Sequence, residues 1–160
     1  MNALAHKVPH TSWQSAIAGA THEIATYALN FLDSAVGNAV SPGVVAGLVG
    51  AHIPMLGGPS ALEIALVGTP EHCRALAAAI LQTEPSTLSE AETADAVGEI
   101  VNMLAGSVKR RMSSEGVDLE LGLPLFIVGH VASTSQIEVT PLPARFGPID
   151  MFVLMISRRR

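Results

Sequence analysis

The stretch from residue 89 to residue 114 carries the strongest structural signal in the sequence. Ser89 and Glu92 have the spacing of a capping box, in which each residue caps the other at a helix start. Apolar residues then recur three or four positions apart: Val97, Val101, Leu104 and Val108. At about 100° per residue, these side chains share one face of a helix. The pattern predicts a helix of at least about five turns with that face buried, closed by Gly116.

Helical and extended patterns fill the rest of the chain. We expect a first helix over residues 12–33, and a short helix that starts at the Thr69-Pro70 cap and ends near Gln82. Runs of apolar and β-branched residues predict strands at 44–52, 61–68, 118–130, 134–142 and 149–157. The order predicts an α/β domain of two similar halves, each a long helix followed by β structure, with the helices packed on a sheet.

Size and composition limit the kind of protein. The chain has 160 residues, of which 49% are hydrophobic, so we expect a flexible tail at 1–11 and a single domain at 12–158. The net charge of −5 provides no general attraction to nucleic acid. One cysteine excludes an internal disulfide and favours a reducing compartment. The uncharged stretch 42–62 is too rich in glycine and proline for a membrane span, so we expect a soluble, cytoplasmic protein.

The face of the long helix opposite the apolar one is polar. It carries Asp95, Glu99, Asn102 and Gly106. A solvated surface explains such a face in most amphipathic helices. Asn102 and the two glycines, Gly98 and Gly106, are poor helix formers in mid-helix, however, and each glycine costs up to about 1 kcal/mol relative to alanine. Small residues around a projecting acid and amide, with Met103 beside them, predict that another protein approaches this face closely.

Other motifs indicate no separate chemistry. His22-Glu23 begins like a zinc-protease motif, but position 26 is threonine where a second histidine is required. The sequence has neither a phosphate-binding glycine loop nor a serine nucleophile elbow. Cys73 falls on an alanine-rich predicted helix, where a small buried hydrophobic residue is the simpler interpretation. We therefore expect no metal ligand set and no cofactor belonging to this protein.

The spacing of the polar residues resembles a known signature. Asp95, Glu99 and Asn102, followed by Pro124, resemble the motif of the CheC/CheX/FliY family of chemotaxis phosphatases, and the sequence around them is also similar. The resemblance extends over about residues 12–158. It implies the CheC-like fold, in which two pseudo-repeated halves place long helices on a largely antiparallel sheet.

The resemblance also implies a function. Proteins of the CheX type accelerate hydrolysis of the aspartyl phosphate of a CheY-like response regulator, which supplies its own Mg²⁺. Asn102 would position the attacking water, because an amide side chain offers both donors and an acceptor. Glu99 would pair with the regulator's active-site lysine. These two residues are the expected catalytic pair.

Further positions have supporting roles under the same resemblance. The docking surface for the regulator would consist of Asp95, Gly98, Met103 and Gly106. Pro124 would be structural and would set the start of a strand beneath the helix. By analogy with CheX-like proteins, we also expect a homodimer joined through sheet edges.

The first helix resembles a degenerate copy of this site. Family members of the CheC type carry two sites, whereas those of the CheX type carry one. Glu23 is present, but Thr26 stands in place of asparagine and Gly19 in place of aspartate or serine. We therefore expect one site. Two other hypotheses stay open: a non-catalytic module that binds a response regulator or the flagellar switch, and a purely structural homo-oligomer.

Overall fold

The computed structural model describes residues 10–57, 62–129 and 131–159. This part of the chain contains three α-helices, which are α1 (His10–Glu23), α2 (Pro70–Leu81) and α3 (Glu90–Ser113). The end of α1 continues as a π-helical segment, Ile24–Ala28. Two short 3-10 turns lie at Pro42–Val45 and Pro85–Thr87.

The starts of α2 and α3 follow from their capping residues. Ser89 Oγ accepts from the Glu92 N–H at 3.1 Å, and the Glu92 carboxylate accepts from the Ser89 N–H at 2.8 Å. This is the predicted capping box, and losing such a cap typically costs about 1 kcal/mol. Thr69 caps α2 in the predicted position, because its side chain accepts from the His72 N–H at 3.1 Å. The sequence signals for both starts are confirmed.

Seven strands in the described residues form one antiparallel sheet. Their bounds are β1 (Ser34–Val36), β2 (Val49–Leu56), β3 (Leu62–Gly68), β4 (Glu120–Leu121), β5 (Leu125–Val128), β6 (Ile137–Phe146) and β7 (Ile149–Arg158). The order across the sheet is β1-β6-β7-β3-β2-β4, and β5 also pairs with β2. All the strand pairs are antiparallel.

The strand order is symmetrical about the central pair, β3 and β7. The first half of the chain contributes β1, β2 and β3, and the second half contributes β4 with β5, then β6 and β7. In each half the first strand pairs with the second strand of the other half. The two halves are therefore interlocked in one sheet, which confirms the predicted pair of similar helix-plus-strands halves.

Pro141 and Pro143 are tolerated within β6 because their missing N–H groups would face away from β7, the strand that pairs with β6 along its whole length. The carbonyl of Pro143 accepts from the Gly37 N–H at 2.8 Å, and that of Pro141 accepts from the Val40 N–H at 3.0 Å. The N–H and C=O of one strand residue point to the same side, so the missing N–H groups also face this outer side. The ladder between β6 and β7 stays intact.

The helices cover one face of the sheet and form the main core. The predicted apolar stripe of α3 is fully buried in this core, with no exposed surface on Val97, Val101, Leu104 or Val108. A smaller cluster on the opposite face includes Ala65, Val67 and Leu154, and Val45 from the 3-10 turn packs on it. The long helix is therefore fixed by its apolar side, and the opposite side, which carries Asp95 and Glu99, is exposed.

Several predicted boundaries are wrong for local reasons. The predicted helix 12–33 starts earlier, at His10, and helical structure ends at Ala28, after which Asn30 adopts a left-handed φ of 58°. The strand predicted at 44–52 begins only at Val49, because a 3-10 turn precedes it. The strand predicted at 118–130 is split into β4 and β5, since the chain leaves the sheet around Pro124.

Some expectations fall partly outside the described residues. Among them are residues 1–9 of the predicted tail, residue 61 of one predicted strand and residue 130 of another. Gly57, directly after β2, has a φ of 101°, which suits glycine and few other residues.

Candidate functional site

The candidate site lies on the outer face of α3. Asp95, Glu99 and Asn102 are spaced by four and three residues, so they form one stripe along the helix, opposite the buried one. Asp95 and Glu99 are exposed, and Asn102 is half-buried. A helix held by a fully buried stripe is a rigid support, and rigid elements position functional groups better than loops do.

These three side chains are unoccupied within their own chain. Across the described ranges, no hydrogen bond or ion pair involves the side chain of Asp95, Glu99 or Asn102. An amide has two donor hydrogens and one acceptor oxygen, and a carboxylate has acceptors only. The stripe can therefore offer an acid and an amide, one helical turn apart, to a partner molecule.

Gly98 lies beneath the surface and not on it, contrary to its expected place in the docking surface. It is buried, and a Cβ added to it would lie 3.7 Å from Cβ of Pro124. That distance is an ordinary van der Waals contact, so the segment before β5 packs against the helix next to Glu99 without requiring glycine at position 98. Pro124 immediately precedes β5, the position expected for a residue that starts a strand.

Gly106 and Met103 differ in their surroundings. Gly106 is half-exposed, and a Cβ added to it would meet no atom within 4 Å among the described residues. Packing within the chain therefore does not require glycine there, although glycine weakens the helix. Met103 is half-buried and packs against the core, so only part of it is available to a partner.

The corresponding positions of the first helix are blocked. A Cβ added to Gly19 would lie 2.6 Å from Nη1 of Arg111, so the guanidinium of α3 rests directly on that position. Glu23 accepts from the Ser107 hydroxyl at 2.8 Å, from Nη2 of Arg111 at 3.1 Å and from Arg110. The hydrogen bond from Ser107, together with the two arginine charges, holds the pKa of Glu23 below its ordinary value of 4.5. Glu23 is consequently a structural clamp between α1 and α3.

The backbone of the first helix is also altered at this place. Thr26 lies inside the π-helical segment Ile24–Ala28, where the Leu29 N–H donates to the Ile24 carbonyl at 3.1 Å. A π turn is wider than an α turn and advances less than about 100° per residue. Thr26 therefore does not stand in the same relation to Glu23 as Asn102 does to Glu99. The first helix therefore differs from α3 at these positions both in its residues and in its backbone conformation.

Sequence reasoning missed the clamp on Glu23. Arg110 and Arg111 lie in the last turn of α3, where basic side chains suit the negative end of the helix dipole whether or not they have a partner. The pairing joins residues more than eighty positions apart, and no local pattern indicates such a contact. Sequence reasoning also passed over Leu123, whose side chain is almost fully exposed beside Pro124.

The family model that matches this chain is described as chemotaxis phosphatase CheX. It matches residues 49–140, which is more than half of the chain and includes the whole stripe on α3 and Pro124. The chain belongs to the CheX family. No curated protein matches this chain.

Solved structures with the same fold include other members of this group. A CheC-like superfamily protein from Shewanella sp. PV-4 is 18% identical, with a TM-score of 0.77 over 93% of this chain and 99% of the other. The chemotaxis protein CheX from Vibrio vulnificus is 20% identical, with a TM-score of 0.68 over 98% of this chain and 99% of the other. The CheC-like fold expected for the chain is confirmed.

A third similar structure is a complex. It contains CheX from Borrelia burgdorferi together with CheY, BeF3 and Mg²⁺, and it is 16% identical to this CheX-family chain. The TM-score is 0.67, over 92% of this chain and 98% of the other.

Metal-binding and thiol chemistry have no support at other places in the described structure. Among residues 10–57, 62–129 and 131–159, no group of three or more His, Cys, Asp or Glu residues could hold a metal ion. His22 lies 3.3 Å from the Ser34 hydroxyl, and no zinc-protease geometry surrounds it. Burial raises the pKa of Cys73 to about 11, so the thiol stays protonated near neutral pH. None of the described helices is long and apolar enough to cross a membrane.

Proposed function

We propose that this CheX-family protein hydrolyses the aspartyl phosphate of a phosphorylated CheY-like response regulator. The observation that carries the proposal is the pair formed by Glu99 and Asn102. Both are accessible on a rigid helix, one turn apart, and neither has a partner in the described part of the chain. The family description and the solved complex of a CheX with CheY support the same activity.

Asn102 positions the water that attacks phosphorus. The water oxygen forms a bond to phosphorus as the bond from phosphorus to the aspartyl oxygen breaks, which yields inorganic phosphate and a free carboxylate. The proton of the water leaves with the phosphate product. The amide accepts from the water and holds it in line, so its contribution is orientation and not proton abstraction. The regulator brings Mg²⁺ and a lysine that neutralise the phosphoryl charge.

Glu99 fixes the regulator in place. Its carboxylate points outward one turn before Asn102 and can accept from the regulator's active-site lysine. Once docking removes water from this pair, the attraction between the two charges is stronger than on an open surface. Asp95, one turn further toward the start of α3, extends the acidic stripe, and the open position at Gly106 allows close approach at its other end.

The deciding experiment times phosphate loss from phosphorylated regulators. Candidate receiver proteins are phosphorylated, mixed with this protein in Mg²⁺ buffer, and sampled for remaining phosphoryl group, with binding followed in parallel. We expect faster loss for at least one regulator. Binding without any acceleration would show that the protein is a non-catalytic docking module.

We also propose a homodimer, on the basis of the family resemblance. Within the described residues, β1 ends the sheet on one side and β4 and β5 end it on the other. Edge strands carry unpaired N–H and C=O groups, which a second copy can satisfy. Light scattering at micromolar concentration tests this, and a mass of one chain would contradict it.

A further inference from the structure

An exposed leucine stands beside the candidate site. Leu123 exposes 85% of its surface, although the next residue, Pro124, packs on α3 at Gly98. Burying a leucine side chain is worth about 1.5–3 kcal/mol, so this apolar area can strengthen binding to any surface that covers it. A single exposed leucine is common in soluble proteins, and its position has to carry the argument.

Leu123 is close to Glu99 of the α3 stripe. A Cβ added to Gly98 would lie 3.7 Å from Cβ of Pro124, and Gly98 is the neighbour of Glu99. Because consecutive Cα atoms are about 3.8 Å apart, the Cα atoms of Leu123 and Glu99 are separated by no more than about 15 Å. A stable protein interface covers about 800 Å² on each partner, which corresponds to a disc of about 16 Å radius. A regulator centred on the stripe of α3 therefore reaches Leu123.

We propose that Leu123 is an apolar contact for the regulator that docks on α3, and that it sets affinity for the regulator without taking part in chemistry. This inference rests on the function proposed above. Covering an apolar side chain adds affinity, and contacts around the residues at the centre of an interface exclude water from them. The segment that carries Leu123 is continuous with the stripe through the contact between Pro124 and Gly98, which is why the occupant is the regulator.

The other edge of the sheet provides a matched control. Leu32 is fully exposed and lies just before β1, as Leu123 lies just before β5. The strands β1 and β5 occupy opposite edges of the sheet, about 24 Å apart at about 4.8 Å per strand. Leu32 accompanies the helix whose glutamate is clamped by Ser107 and two arginines. The two leucines thus share exposure and setting, but only one adjoins the stripe.

The test compares Leu123→Asp and Leu123→Ala with Leu32→Asp and Leu32→Ala. Hydrolysis is measured over a range of regulator concentrations, and binding to the phosphorylated regulator is measured directly. We expect Leu123→Asp to raise KM and Kd roughly tenfold, with a smaller rise for the alanine variant and kcat within about twofold of the parent. The Leu32 variants should match the parent. Both sites are exposed, so thermal unfolding of all four variants should be unchanged.

The other outcomes separate failure of this inference from failure of the proposed function. If the parent hydrolyses phosphoryl groups and Leu123→Asp has the parent's KM, Leu123 is not a regulator contact. If Leu123→Asp converts a dimer into a monomer in light scattering, the occupant is a second copy of the chain. If the parent binds the regulator but does not hydrolyse it, the proposed function fails, while weaker binding by Leu123→Asp still supports the contact. Absence of both binding and hydrolysis removes both proposals.

Discussion

The two long helices carry corresponding polar positions, and the structure uses them in opposite ways. Glu23 on the first helix is held by Ser107, Arg110 and Arg111. Glu99 on α3 is exposed and, within the described ranges, bonded to nothing. A carboxylate that is already satisfied gains little from a partner's lysine, whereas a free one gains a new ion pair. The role of a glutamate at a motif position is therefore decided by the side chains around it and not by its presence alone.

The difference extends to the backbone and to the space around each helix. The first helix changes to a π turn at Ile24–Ala28, and Arg111 covers Gly19. α3 stays α-helical across its stripe, and the space above Gly106 is open. We expect the first helix to contribute to stability and α3 to contribute to activity. The following substitutions test that division.

Asn102→Ala should have the largest effect on activity. It removes the amide that positions water but leaves Glu99 and the buried stripe unchanged, so kcat should fall by at least ~10²-fold while binding to the phosphorylated regulator survives. The free energy of unfolding should stay within ~0.5 kcal/mol of the parent. Thr26→Ala is the matched control and should hydrolyse at the parent's rate. Equal rates for Asn102→Ala and the parent would show that α3 is only a solvated or adaptor face.

Glu99→Ala should mainly weaken binding. Truncating one partner of a desolvated charge pair costs about 2 kcal/mol or more, which corresponds to a rise of roughly 30-fold in Kd for the phosphorylated regulator. Neutralising the regulator's lysine in addition should weaken binding little further, because its partner is already absent. The double-mutant cycle by direct binding measures this coupling. If Glu99→Ala binds normally and only hydrolysis is slow, Glu99 acts in chemistry and not in docking.

Glu23→Gln should affect stability and leave hydrolysis unchanged. The charge of Glu23 attracts two arginines, and its side chain is 31% exposed, so we expect a loss of about 1 kcal/mol at neutral pH. Because the pKa of Glu23 is lowered in the folded protein, its stabilisation is full above its unfolded pKa and disappears as pH falls through the folded value. Parent and variant should therefore converge in denaturant unfolding as the pH is lowered through the folded-state pKa of Glu23, which lies below its ordinary value.

The matched change Glu23→Ala removes the acceptor as well. It leaves the fully buried Ser107 hydroxyl without its carboxylate, so it should destabilise more than Glu23→Gln. Loss of hydrolysis in Glu23→Gln with unchanged stability would reverse the division between the two helices.

The sequence predicted the long helix and its two faces more completely than it predicted the boundaries of the other elements. The capping box at Ser89, the stripe at Val97 and its repeats, and the polar face opposite them are local patterns, and the structure contains all of them. A local period fixes a helix and its faces without knowledge of distant residues. The family motif then identified which polar residues on that face to consider.

Contacts between residues far apart in the chain could not be predicted from local sequence patterns. Gly98 was expected in the docking surface because a small residue allows a partner to approach closely, but it is buried next to Pro124, which returns to α3 from a different part of the chain. The first helix was predicted to reach residue 33, since its apolar period continues, but the chain turns at Asn30. Tertiary packing decides both points, and a period of three and four residues carries no information about it.

The most specific test of the difference between the two helices is a substitution that we expect to have no effect. Thr26→Asn restores asparagine to the motif position of the first helix, and in the Asn102→Ala background it should return no hydrolysis. Glu23 remains held by the arginines of α3, and the π turn places residue 26 at a different angle from that of Asn102. Regulator dephosphorylation by the double variant should therefore equal that of Asn102→Ala alone. Recovery of even a tenth of the parent's rate would show that the first helix needs only its missing amide, and that the clamp opens when a regulator docks.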